Sequence, residues 1–258
     1  MLTPDLDLGR RFLVKNPPPG QVLLCAVTGS HLYGFPSPDS DLDLKGIHVF
    51  PTEWLLGLER PADTYDRLEL FEGSECDYTS HEVGKALLLL LRGNGNLLER
   101  MLSPFQLWRG ERYEELATLA RGTVSRRFSQ HYAGFFRGAC REHLAHEPRQ
   151  AKTMLYAYRV ALTGLHLLRS GELVADLGIL APEYGFPQIS ELIQRKRAGE
   201  EREPLTPEEE AAYRGRWPEL EALLASAVQE SRLPPEASNR AHCEDWLIRL
   251  RREALGTG

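Results

Sequence analysis

The chain has little cysteine, little lysine and no long apolar run, and each shortage closes off a class of protein. Its 4 cysteines, Cys25, Cys76, Cys140 and Cys243, stand too far apart for a zinc pattern or a disulfide framework, which points to reduced thiols. The longest purely apolar run, residues 86–91, is flanked by Lys85 and Arg92 and is far too short to span a bilayer, so no membrane partner is expected. The opening Met1-Leu-Thr-Pro-Asp5-Leu-Asp7 is acidic where a secretory leader is basic, which points to the cytoplasm. No internal repeat or low-complexity tract is evident. With 42% hydrophobic and 26% charged residues among 258, the chain is neither disordered nor fibrous, and it can fill one large core or two modest ones. The 5 lysines stand against 26 arginines, a bias of genome composition that also supplies the better phosphate fork.

The net charge of −6 conceals an asymmetry. Residues 1–80 hold 6 Lys/Arg against 13 Asp/Glu, residues 81–170 hold 14 against 7, and residues 171–258 hold 11 against 17. A basic centre between acidic arms is a signature of polyanion binding, and equally an ordinary helical bias.

Residues 1–110 read as mixed α/β. Residues 21–28 form an apolar, β-branched run ending at Gly29-Ser30, which suits a buried strand entering a tight turn. Leu42, Leu44, Ile47 and Val49 make a second strand with a kink near Gly46, and residues 75–79 make a short third one. Pro36 and Pro38 mark the stretch between the first two strands as a loop. Thr79 and Glu82 have the spacing of a capping box for a helix that runs to Gly93. Beyond about 111 the pattern is helical, with segments near 112–121, 124–146, 150–170, 188–198, 207–230 and 239–254 separated by prolines and glycines, and a charged connection over 199–204. The expected architecture is α+β, an α/β core over 1–110 followed by a helical domain over 111–258.

The sharpest feature is the stretch from Gly29-Ser30 to Asp41-Leu42-Asp43-Leu44-Lys45-Gly46. Glycine after a buried strand lets backbone approach a ligand, and a helical turn starting at Ser30 offers free N–H groups to a phosphate. Asp41 and Asp43, two apart on a strand, project their carboxylates from one face. Adjacent carboxylates repel unless a cation lies between them, usually Mg²⁺ or Mn²⁺. An EF-hand origin fails, because Leu44 stands where that loop needs Gly and Phe50 where it needs Glu. Asp77, between the apolar flanks Cys76 and Tyr78, is the best third carboxylate, with Asp66, Glu69, Glu72 and Glu75 as nearby alternatives. Asn94, Asn96 and Glu99 read better as a helix-terminating turn than as site residues.

This pattern resembles the nucleotidyltransferase superfamily of the DNA polymerase β type. Its hallmark is Gly-Ser after a strand, about ten residues, then Asp-x-Asp on the next strand, with a later third carboxylate. Gly-Ser-x-x-x-Gly at 29–34, Pro-Asp-Ser-Asp-Leu-Asp-Leu-Lys-Gly at 38–46 and Gly-Asn-Gly-Asn-Leu-Leu-Glu at 93–99 resemble most the RNA-ligase-associated, RlaP-like group. The resemblance covers residues 21 to about 104 well and the helical half loosely. It implies an enzyme that moves a nucleoside monophosphate from an NTP, by default ATP, to an acceptor hydroxyl, with Mg²⁺ or Mn²⁺ as cofactor and RNA as one acceptor. Asp41, Asp43 and Asp77 would hold the metals, with Asp77 completing the site for the ion that activates the incoming hydroxyl, and Gly29 with Ser30 would contact the β- and γ-phosphates. Lys45 would either neutralise phosphate charge or pair with Asp43.

The helix over 150–170 carries a second signal. Ala151, Met154 or Leu155, Tyr158, Leu162, Leu165 and Leu168 form an apolar stripe, while Lys152, Tyr156, Arg159, Thr163 and His166 share another face. Lys152, Tyr156 and Arg159 are expected to hold a triphosphate and stack a base, closing over the nucleotide from the helical half. The competing reading is a non-catalytic nucleotide- or RNA-binding sensor or antitoxin-like module of the same fold.

Overall fold

The computed structural model describes residues 3–199 and 204–255. The expected connection at 200–203 therefore lies outside the described residues. In chain order the elements are α1 (Leu6–Lys15), β1 (Gln21–Val27), α2 (Gly29–Leu32), β2 (Leu42–Val49), β3 (Thr64–Phe71), β4 (Ser74–Glu82), α3 (Val83–Leu91), α4 (Gly95–Leu102) and β5 (Gln106–Arg109). Helices follow: α5 (Tyr113–Gly122), α6 (Phe128–Ala145), α7 (Ala151–Ser170), α8 (Leu177–Glu183), α9 (Ile189–Arg197), α10 (Pro207–Arg214), α11 (Trp217–Glu230) and α12 (Arg240–Leu255). The class is α+β.

These elements form two compact units that are interleaved along the chain. One comprises residues 3–29, 41–123 and 237–255; the other comprises 30–40 and 124–236. This differs from the expected single boundary after residue 110. Helix α5 stays with the sheet because Glu115 accepts hydrogen bonds from Trp246 Nε1 at 2.8 Å and Arg249 Nη2 at 3.0 Å, both on α12. The Asn239 amide donates to the Leu119 carbonyl at 2.9 Å, which fixes the start of α12.

In the first unit a mixed sheet has the order β3-β4-β2-β1-β5. Strands β2 and β4 run parallel, and the other pairs are antiparallel. Leu42 and Leu44 of β2 and Cys76 and Tyr78 of β4 alternate toward one face, where α1 packs Leu8, Phe12 and Leu13 on them. Phe12 meets Phe71 and Tyr78 edge-on at 5.4 and 6.5 Å. Burying a side chain of this size stabilises the fold by roughly 1.5–3 kcal/mol. Helix α1 is not among the elements expected from sequence; Asp5 caps it by accepting from the Leu8 N–H at 2.8 Å.

Two local expectations are corrected. Thr79 and Glu82 form no capping box, because β4 continues through both; Glu82 alone caps α3, accepting from the Gly84 N–H at 2.7 Å. The single helix expected over 207–230 is two. Helix α10 starts at a capping box between Thr206 and Glu209, and α11 restarts with Trp217 and Pro218 in its first turn, where a proline lacks no needed N–H.

In the second unit α7 is the central helix, buried along most of its 20 residues. Residues 30–40 are built into this helical unit. The Leu177 N–H donates to the Tyr33 carbonyl at 2.9 Å, and Arg197 Nη2 donates to the Gly34 carbonyl at 2.5 Å. Gly34 has φ +80°, and a Cβ there would lie 2.1 Å from Asp176 Oδ1, so only glycine fits.

Candidate active site

Strand β1 delivers the chain to Gly29 at the same end of the sheet where β2 begins. The Thr28 N–H donates to the Asp43 carbonyl at 2.9 Å, tying the two strand ends together. Gly29 has φ +61°, and a Cβ on it would stand 1.7 Å from Asp43 Oδ2. The Asp43 carboxylate thus lies against the Gly29 backbone in space that any side chain would fill. The helical turn expected from Ser30 begins at Gly29 and lasts 4 residues.

Asp43 and Asp77 are register partners on the parallel strands β2 and β4, so their side chains leave the sheet side by side on the face opposite α1. Asp41, exposed, immediately precedes β2 and precedes Asp43 by one strand period. It lies near enough to Cys76 to help raise that thiol to about 11, after burial and Glu69. Lys45 is on the same face, and its Nζ donates to Asp77 Oδ2 at 2.8 Å. The lysine therefore pairs with the aspartate on the neighbouring strand, where the sequence pattern suggests Asp43 or a phosphate.

The donor chemistry fits a hard divalent cation only in part. Among the described residues no three Asp, Glu, His or Cys side chains are grouped to hold an ion by themselves. Mg²⁺ is commonly bound through one or two carboxylates with substrate phosphates completing its shell, a demand that Asp41 and Asp43 can meet. Gly29 leaves room at Asp43 for such an approach. Asp77 is already engaged by an ammonium group.

Ser30, Lys152, Tyr156 and Arg159 belong to the helical unit. Ser30 is buried, and its carbonyl accepts from the Phe35 N–H at 3.1 Å. The polar face expected on α7 is largely buried: Arg159 is 5% exposed and Thr163 fully buried. The Arg159 guanidinium stacks 3.8 Å above the Tyr33 ring, and Tyr156 meets Tyr33 and Phe35 edge-on at 5.9 and 5.7 Å. This aromatic–cation stack grips the loop after Ser30. Lys152 is exposed at the start of α7. Sequence reasoning misses Lys196, 2% exposed, whose Nζ lies 3.4 Å from Ser37 Oγ. Its only signal is a basic run, Arg195-Lys196-Arg197, at a helix end. Asn94 proves structural, capping α4 by accepting from the Leu97 N–H at 3.3 Å.

A glycine elbow after one strand is set against an aspartate that shares a face with a second aspartate, the arrangement that the resemblance drawn from sequence leads one to expect. Residues 12–249 match the family described as RNA repair pathway DNA polymerase beta family (RlaP), and the chain belongs to that family. It is 30% identical over 159 residues to the uncharacterized protein MJ0002 of Methanocaldococcus jannaschii, covering 60% of this chain and 63% of that relative, less than two thirds of its length. It is 26% identical over 197 residues to the uncharacterized protein YcgL of Bacillus subtilis, covering 70% of this chain and 72% of the relative. A crystal structure of a nucleotidyltransferase-like protein from Exiguobacterium sibiricum aligns with 96% of this chain and 80% of its own, at 12% identity and a TM-score of 0.33, a value too low to carry an argument. Among the described residues no helix is long and apolar enough to cross a membrane.

Proposed function

We propose that the protein is a metal-dependent nucleotidyltransferase that moves a nucleoside monophosphate from an NTP to an acceptor hydroxyl. The observation that carries this reading is the row Asp43–Asp77 on adjacent parallel strands, with the Asp43 carboxylate set against the side-chain-free Gly29. The Lys45 ammonium offsets the charge of Asp77, and a divalent cation with its phosphates would offset the charge of Asp41 and Asp43 beside it.

In this reading Asp41 and Asp43 hold Mg²⁺, or Mn²⁺, which when bound supplies charge neutralisation to the transferring phosphoryl group. Gly29 and Ser30 bring backbone N–H groups toward the β- and γ-phosphates. Lys45 fixes the Asp77 carboxylate, which takes the proton from the attacking hydroxyl. The pyrophosphate leaves as the new phosphodiester forms. Lys152 is assigned to the phosphates; Tyr156 and Arg159 are assigned to shaping the loop that carries Ser30. ATP is the default nucleotide, and the family description points to a place in RNA repair.

The test is transfer of label from each α-labelled NTP, together with thermal stabilisation by Mg²⁺ and a non-hydrolysable NTP. Asp43→Asn is expected to abolish both while the fold is kept. Wild-type protein that shows neither transfer nor stabilisation with any of the four NTPs refutes the reading and favours the non-catalytic module.

A further inference from the structure

The transferase chemistry leaves Lys196 without a task. It stands in the last turn of α9, in the same unit as residues 30–40, and is 2% exposed. Taking an ammonium group out of water is costly, so a lysine buried to this degree serves a purpose that needs its charge. The ammonium lies 3.4 Å from Ser37 Oγ and 6.0 Å from the centre of the Phe35 ring. It also lies close enough to His31 to act, after burial, in lowering that imidazole below its ordinary value, so His31 is neutral at pH 7. His31 directly follows Ser30, and its Nδ1 is buried with no hydrogen-bond partner among the described residues. Ser37 is 4% exposed, and Ser40 Oγ lies 2.8 Å from its N–H and 2.9 Å from its hydroxyl. One ammonium therefore acts on both the residue after Ser30 and the far bend of the loop.

The charges around this loop favour an anion. Arg159 stacks on Tyr33, Arg197 donates to the Gly34 carbonyl, and Lys196 lies at Ser37. The carboxylates facing them are Asp39, which is exposed, and Asp176, whose Oδ1 accepts from the Gly178 N–H at 2.8 Å. Arg159 and Arg197 clasp Tyr33 and Gly34; Lys196 is the cation beside His31. A terminal phosphate carries about two negative charges on three oxygens, and it suits one ammonium point charge backed by neutral donors. The Ser37 hydroxyl is one such donor, and the neutral His31 ring keeps one N–H as another. We infer that Lys196, with His31 and Ser37, recognises the terminal phosphate of the nucleoside triphosphate. This deepens the proposed function and rests on it for the placement of phosphates at Ser30. In the transfer the acceptor oxygen bonds to the α-phosphorus as the bond from that phosphorus to the bridging oxygen breaks, and the acceptor's proton goes to Asp77. The terminal phosphate departs within the pyrophosphate, so Lys196 holds the leaving group and not the transferred nucleotide.

The test compares two probes, the α,β-methylene analogues of ATP and ADP, titrated calorimetrically with Mg²⁺ at neutral pH. The wild-type protein is expected to bind the triphosphate at least about tenfold more tightly than the diphosphate, and Lys196→Met to lose that preference while holding the diphosphate as the wild type does. Lys196→Arg keeps the charge and should keep most of the preference. A lysine that only braces the loop gives a different result, because Lys196→Met then weakens both probes alike. Equal weakening, an unchanged preference, or a wild-type protein that does not distinguish the probes overturns the inference and leaves the transferase reading in place. His31→Phe, at a half-buried position, should lower the preference too, and it decides the matter if Lys196→Met does not fold. Proton NMR supplies a readout without nucleotide: the His31 ring should titrate at higher pH in Lys196→Met than in the wild type, and an unchanged titration would overturn the site. Failure of the wild type to bind either probe, or the analogues of the other three nucleotides, overturns the transferase reading and this inference with it.

Discussion

Gly29→Ala probes the closest approach in the candidate site. Two costs are expected. The first is conformational: Gly29 has φ +61°, and an L-residue held there costs about 1–2 kcal/mol. The second is steric, because the new Cβ would lie 1.7 Å from Asp43 Oδ2 and 2.6 Å from its Cγ. The carboxylate must swing away, at about 0.5–1.5 kcal/mol for an off-rotamer side chain. The single substitution is therefore expected to lower unfolding free energy by about 2–3 kcal/mol, within the roughly 5–15 kcal/mol that a folded protein has. Asp43→Ala removes the two clashing atoms and leaves only the Asp43 Cβ at 3.0 Å. In that background Gly29→Ala should cost only the conformational part, so a double-mutant cycle should show a coupling of about 1 kcal/mol. Urea unfolding followed by far-ultraviolet circular dichroism, at constant m-value, resolves this, since unlinked sites add to within about 0.3–0.5 kcal/mol. Additive effects would refute the contact between the Gly29 backbone and the Asp43 carboxylate.

Further outcomes follow from the same geometry. Lys45→Met should cost less than about 1 kcal/mol of stability, because the Lys45–Asp77 pair is partly exposed, while transfer activity falls at least tenfold; unchanged activity would remove Lys45 from the mechanism. Arg100→Met should destabilise by about 2–4 kcal/mol, because the buried Gly46 carbonyl loses its 2.8 Å donor; a loss below about 1 kcal/mol by urea unfolding would contradict this. Stability should fall as pH drops from about 6.5 toward 4. Burial holds His48, His81 and His131 near 4 in the folded protein, below their unfolded value, so the unfolded chain takes up protons first across that window. Urea midpoints at pH 7, 6 and 5 that do not decline would refute those burial effects.

What can be read from sequence follows from which interactions are local. Strands β1 and β2 announce themselves by apolar residues, and strand period relates Asp41 to Asp43, whereas Asp43 and Asp77 come side by side only through the pairing of β2 with β4, which the sequence does not spell out. Strand β3 escapes a sequence reading because it is an edge: Asp66, Leu68 and Leu70 face solvent, so its alternation carries no clean apolar signal. Helix α1 hides in a short acidic–basic stretch whose burial comes from distant partners. On α7 the polar residue types imply a solvated face, yet Arg159 is buried by stacking on Tyr33, a contact 126 residues away in the chain that no periodicity encodes.

The interleaved chain has a practical consequence for dissecting the protein. The polypeptide passes from one unit to the other between residues 29 and 30, 40 and 41, 123 and 124, and 236 and 237. Neither unit is a contiguous stretch, so a fragment ending near residue 110 lacks α5 and α12, and one starting there lacks the loop that Tyr33 anchors. A single cut in the gene therefore cannot separate one unit from the other. Two of the crossings bracket residues 30–40, so the loop that follows Gly29 takes its partners from helices encoded more than a hundred residues later. Its described partners lie between Tyr156 and Arg197, so a fragment that stops before α7 lacks every one of them.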